Sequence, residues 1–106
     1  MIAQTPRPPY YAVIFTSTRT SVKNGYSKMA DKMFELAKKQ HGFFGVETAR
    51  EEIGITVSYW KDLESIKSWK ENLEHSFAQQ KGKDDWYKKY KTRISKVEHD
   101  YSFNKS

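Results

Sequence analysis

The hydrophobic period of this chain switches between two and 3.6 in a fixed order, and that order most constrains the fold. Tyr11 to Ser17 (YAVIFTS) is β-branched and aromatic, and predicts a strand. Tyr26, Met29, Ala30, Met33, Phe34 and Ala37 recur at helical spacing and predict an amphipathic helix over 26–40. Lys38, Lys39 and His41 place cations near its C-terminal end, and Gly42 is positioned to cap it. Phe43 to Arg50 predicts a second strand, and Glu51-Glu52 a short turn. Ile53 to Trp60 then alternates cleanly, with Ile53, Ile55, Val57 and Tyr59 on one side and Gly54, Thr56, Ser58 and Trp60 on the other. Asp62 is a good N-cap for a second helix carrying Leu63, Ile66, Trp69 and Leu73. After Gly82, with Asp84 or Asp85 as a cap, Trp86, Tyr87 and Tyr90 predict a short aromatic turn. A last strand is expected from about Thr92 to Phe103, with a bulge where the apolar phase slips between Ile94 and Val97.

The element order is β-α-β-β-α-β, an α+β fold of the ferredoxin-like type with a four-stranded antiparallel sheet. Residues 1–10, with three prolines, read as an extended arm, and 11–103 as one domain. Both helices of such a fold cover one sheet face and leave the other bare. Here both faces carry large residues, so the bare face is expected to be covered, most simply by a second copy in a symmetric homodimer.

Composition removes several function classes. No cysteine is present, which excludes disulfides, thiolate nucleophiles and cysteine metal sites. No segment reads as a leader peptide or a membrane span, so a soluble cytoplasmic protein without membrane contact is expected. The net charge of +6 is spread along the chain among acidic residues rather than gathered in a stripe, and nucleic-acid binding is not expected. His41-Gly42-Phe43-Phe44-Gly45-Val46 looks like the aromatic signature of RNA-recognition domains, which share this order of elements. In those domains the signature lies on the third strand, whereas here it follows the first helix. The three histidines lack metal-ligand spacing, so no metal is expected.

The segments GYSKMADKMFELAKKQHGFFGVETAR, GITVSYWKDLESIKSWKENLEH and AQQKGKDDWYKKYKTRISKVEHDYSF resemble the antibiotic biosynthesis monooxygenase (ABM) domain, in particular its small single-domain bacterial branch. The likeness runs from Tyr11 to Phe103. It is most specific at Gly42-Phe43 with Gly45-Val46, at Tyr59-Trp60, at Trp69 with His75, and at Trp86-Tyr87 before Tyr90. The resemblance implies a dimeric α/β barrel with a pocket between sheet and helices in each protomer. Some members oxidise aromatic substrates with O2 and neither metal nor flavin; others bind and degrade haem. The pocket tryptophan of the family falls on Trp69. The first-strand asparagine of the haem-degrading branch has no counterpart between Tyr11 and Ser17. No cofactor is therefore expected, with haem as the alternative.

Each candidate residue has a functional and a structural reading. His75 suits a general base near neutral pH. It would face a pocket only if the second helix broke near Asn72; on an unbroken helix it faces solvent. Trp69 lies on the apolar stripe, as core or as a pocket wall for a flat ligand. Tyr59 and Trp60 must point to opposite sides of their strand, one toward the helices and one toward the bare face. With Phe15 they complete the expected pocket set. The expected function is a cofactor-independent monooxygenase acting on a small aromatic or quinol-like substrate. The alternatives are a non-catalytic dimer that holds a small hydrophobic or aromatic ligand or is stress-related, and a haem-binding or haem-degrading protein.

Overall fold

A computed structural model describes residues 1–23, 25–76 and 86–105, apart from the side chains of His75 and Ser76. Six elements follow in the expected order: β1 Tyr10–Arg19, α1 Tyr26–Lys38, β2 Phe43–Arg50, β3 Gly54–Trp60, α2 Leu63–Ser76 and β4 Tyr87–Val97. The strands form one antiparallel sheet in the order β2-β3-β1-β4. The fold is α+β and ferredoxin-like. The expected Gly82 and Asp84/Asp85 signals fall outside the described residues.

Register assigns every strand residue to a face. Tyr11 pairs with Trp60, Val13 with Ser58, Phe15 with Thr56 and Ser17 with Gly54. These residues share one face with Phe43, Val46, Thr48 and Arg50 of β2 and with Tyr90, Thr92 and Ile94 of β4. Trp60 stacks on Trp69 of α2, so this is the helix face. The opposite face carries Ala12, Ile14, Thr16, Ile55, Val57 and Tyr59.

Two local signals in the sequence position the helices. The carboxylate of Asp62 accepts the Ser65 backbone N–H at 2.8 Å, as expected of an N-cap. Gly42 takes φ 85°, the left-handed conformation that ends the α1 corner. Its carbonyl accepts the Lys61 N–H at 2.8 Å, joining that corner to the start of α2.

The last strand differs from expectation. It begins at Tyr87, so Tyr87 and Tyr90 lie in the sheet rather than in a turn, and it ends at Val97 rather than Phe103. β1 sets that limit. Its first paired residue, Tyr10, faces Val97, and Pro8-Pro9 before it offer no backbone donors to extend the ladder. The bulge lies elsewhere too. Thr18 pairs with Lys89 and Arg19 with Tyr87, leaving Lys88 as the extra residue, while pairing from Ile94 to Val97 is regular. The phase slip in the sequence has a simpler cause: Ile94 faces the helices and Val97 the opposite face.

The N-terminal arm crosses one end of the face opposite the helices. The Ala3 N–H donates to Glu47 Oε2 at 3.0 Å, and Thr5 Oγ1 donates to the Tyr10 hydroxyl at 3.1 Å. Gly45 leaves room for this crossing, since a Cβ there would lie 2.9 Å from that of Ala3.

Candidate functional site

The helix face carries two aromatic groups separated along the strands. At one end Trp60, fully buried, stacks on Trp69 at 5.8 Å and meets Phe43 edge-on at 5.2 Å. Its indole N–H donates to Ser58 Oγ at 2.9 Å, which satisfies its buried donor. At the other end Phe15 contacts Tyr87 and Tyr90 at 5.5 and 5.3 Å, and Tyr26 of α1 meets Trp86 and Tyr87 at 5.7 and 6.0 Å. Tyr11, the β1 partner of Trp60, is four residues from Phe15, so the floor between the groups runs about 13 Å. Val13, Ser58 and Thr56 occupy that floor. Thr56 shares a hydrogen bond with Thr48 at 2.9 Å.

The Tyr26 end is polar at its rim. The Tyr87 hydroxyl donates to that of Tyr26 at 3.4 Å. Burial pushes the Tyr87 phenol above its usual range, and the bond to Tyr26 adds to this. Arg50 and Arg19 pull the other way with less effect. The Arg19 guanidinium lies 3.6 Å from the centre of the Tyr26 ring. Arg50 crosses the space left by Gly54 to donate to Ser17 Oγ. The sequence places Trp86, Tyr87 and Tyr90 in a turn rather than at a site, and marks neither arginine. An available signal was Arg50 directly before a turn, on the same strand side as the apolar Val46.

The residues expected in the pocket divide. Trp60, Trp69 and Phe15 share the helix face. Tyr59 does not join them. It lies on the opposite face, where its hydroxyl donates to Glu47 Oε1 at 2.6 Å. Burial and that carboxylate push Tyr59 up to about 12, and the same bond lowers Glu47. The Tyr10 hydroxyl, beside Tyr59 at a ring separation of 5.9 Å, donates to Asp100 at 2.6 Å. Burial and Asp100 raise Tyr10 also. This network was not anticipated, although a glutamate among strand apolar residues is its visible mark.

The side chain of His75 lies outside the described residues. The backbone of α2 runs unbroken through Asn72 to Ser76, so the break required for an inward His75 does not occur. Asn72 instead donates to the Ser68 carbonyl at 3.1 Å and to Gln40 at 3.2 Å. His41 and His99 are exposed and off the aromatic floor, in the loop after α1 and in the C-terminal tail. Neither is placed as a haem ligand, and no step is assigned to haem. Among the described residues no group of three or more His, Asp or Glu could hold a metal ion. No described helix is long and apolar enough to cross a membrane.

No family model matches the chain. Its sequence is 43% identical over 107 residues to the uncharacterized protein YqjZ of Bacillus subtilis (strain 168), covering 99% of this chain and 94% of that one. Solved structures with the same fold include SnoaB, a cofactor-independent oxygenase from Streptomyces nogalater. It has a TM-score of 0.63 at 10% identity, over 92% of this chain and all of that one. A dimeric ferredoxin-like protein from an uncultured marine organism also has a TM-score of 0.63, at 14% identity over 89% and 100%. A conserved protein from Methanosarcina mazei has a TM-score of 0.67 at 16% identity over 87% and 94%. The chain thus belongs to the family of YqjZ, on the ferredoxin-like fold of the antibiotic biosynthesis monooxygenases.

Proposed function

We propose that this protein is a homodimeric, cofactor-independent oxygenase that takes a small planar aromatic or quinol-like substrate between its sheet and helices. The observation that carries this reading is the aromatic floor, with the Trp60–Trp69 stack at one end and Phe15, Tyr87 and Tyr26 at the other, on one side of the sheet. Flat rings bind such walls by stacking and area burial. The fold shared with SnoaB, itself a cofactor-independent oxygenase, supports the reaction type. The fold shared with a dimeric ferredoxin-like protein supports pairing, and the half-exposed Ile55 on a central strand favours the face opposite the helices as the contact.

In this chemistry a base removes a proton from the substrate and the resulting carbanion or phenolate reduces O2 directly. For a ring methylene the balance is CH2 plus O2 giving C=O plus H2O, so no external reductant enters. Removing water around the carbanion is the contribution of the aromatic walls. His75, expected as that base, lies on an unbroken α2, and no base is assigned among the described residues. Oxygen-electrode assays on a panel of phenols, quinols and ring methylenes test the reading. Turnover is expected to fall at least tenfold in Trp69→Ala. No oxygen uptake with any member of the panel would overturn it.

A second reading is a dimer that only holds such a ligand. It is favoured by the described floor, where the polar groups are hydroxyls of Ser58, Thr56 and Tyr26 rather than carboxylates or imidazoles. Tight ligand binding without oxygen uptake would select it.

A further inference from the structure

At the Tyr26 end of the floor the sheet rim opens into a cleft of about 430 Å³, whose lining includes Arg19, Lys23, Arg50, Lys88, Glu51 and Glu52. We propose that this cleft receives the carboxylate of an aromatic acid whose ring lies on the adjoining aromatic floor. The proposal rests on the ligand part of the reading above and names its substrate class.

Four observations carry it. First, the cleft gathers four cationic side chains against two carboxylates, although acidic residues are interspersed through the chain. Second, neither guanidinium has a carboxylate partner among the described residues: Arg50 donates to the Ser17 hydroxyl and Arg19 to the Val22 carbonyl at 3.1 Å. Arg19 Nε and Thr18 Oγ1 are buried with no hydrogen-bond partner, so two donors beside the cleft go unused. Third, the local backbone serves these positions. The β4 bulge makes Lys88 the unpaired residue opposite Thr18 and Arg19, and Gly54 leaves the space that the Arg50 guanidinium fills. Fourth, the cations adjoin the aromatic floor. Arg19 stacks on Tyr26, and Tyr26 and Phe15 both meet Tyr87. A planar fork of N–H donors beside a stacking wall suits a flat ring bearing a carboxylate. A free anion would use only the rim, and a neutral ring only the floor.

The test measures binding by tryptophan fluorescence, with 2-naphthoate and its neutral counterpart 2-naphthamide as probes. Naphthoate is expected to bind at least tenfold more tightly than naphthamide, with the difference shrinking as salt is raised. Arg19→Gln and Arg50→Gln are each expected to remove most of that difference. Arg50→Lys, which keeps the charge, should retain part of it and guards against misfolding, as do thermal melts of each variant. Equal affinity for the two probes would overturn the proposal. So would arginine variants that keep the preference, no binding of either probe, or inorganic phosphate binding as well as naphthoate. Oxygen uptake is read separately: naphthoate binding that depends on the arginines, with no uptake from any substrate, would sustain this inference and sink the oxygenase.

Discussion

At the scale of single residues, the sharpest contrast lies between neighbours. Trp60 is fully enclosed against α2, while Tyr59 sits across the sheet and bonds to Glu47. That pair makes stability depend on pH at both ends of the range. Glu47 is held below its ordinary 4.5 by the Tyr59 hydroxyl and the Ala3 N–H, so its contribution is fully present above pH 4.5 and is lost as pH falls through the lower folded value. Tyr59 is raised from 10.0 to about 12, so its contribution is present below pH 10 and is lost as pH climbs toward 12. Urea unfolding across pH is expected to show Glu47→Gln with a flatter acid limb than the parent, and Tyr59→Phe with a flatter alkaline limb. Near neutrality each change is expected to cost about 1 kcal/mol, as loss of a partly exposed bond to a charged group, and the double variant less than the sum. Independent, additive losses would show that the bond contributes nothing. The sequence made the opposed directions of Tyr59 and Trp60 legible through period two. It left open which of them met the helices, because alternation carries no sign.

At the scale of elements, period and capping were enough where an element is decided locally. The α1 stripe, the Gly42 corner and the Asp62 cap all act within a few residues, and all appear where expected. β4 was displaced because a strand is decided by its partner. Tyr101 and Phe103 have strand-forming side chains, but β1 starts at Tyr10 and leaves nothing for them to pair with. The rim arginines were not legible for a related reason, since they converge from strands that the chain order keeps 31 positions apart. Where two elements meet, a single position can be tested. Gly42 has a positive φ, and a Cβ added there would overlap Ser65, buried at the start of α2. Gly42→Ala is therefore expected to cost more than the roughly 1–2 kcal/mol of a left-handed residue alone. Combining it with Ser65→Gly, which removes the obstructing side chain, is expected to bring the loss back toward the backbone cost. Chemical denaturation of the four proteins in that cycle measures it. A Gly42→Ala cost that Ser65→Gly leaves unchanged would place the strain in the backbone alone.

At the scale of the whole molecule, the chain is less compact than its length allows. Its radius of gyration is 14.5 Å, against about 13 Å for a compact domain of this length. The C-terminal tail contributes, with Tyr101 and Phe103 at 99% and 84% exposure. On the face opposite the helices, the N-terminal arm covers the Glu47 and Tyr59 end. The other end carries Ile14, Val57 and Ile55, with Ile55 at 44% exposure on a central strand. A second copy laid on that end would cover these side chains and offer the tails a surface to cross. A stable pair requires each protomer to bury about 800 Å². Sedimentation at micromolar concentration is expected to give a species of twice the 12.5 kDa chain mass. Ile55→Arg, which puts a charge into the proposed contact, is expected to shift it toward the single-chain mass with the helical signal retained. Removing residues 101–106 is expected to weaken association without abolishing it, because the tail would only edge the contact. A parent protein that sediments at 12.5 kDa would leave the open face to a different occupant and remove the homodimer from the proposed function. A dimer indifferent to Ile55→Arg would move the interface off this face, and the pairing inferred from the sheet would fail even though the chain associates.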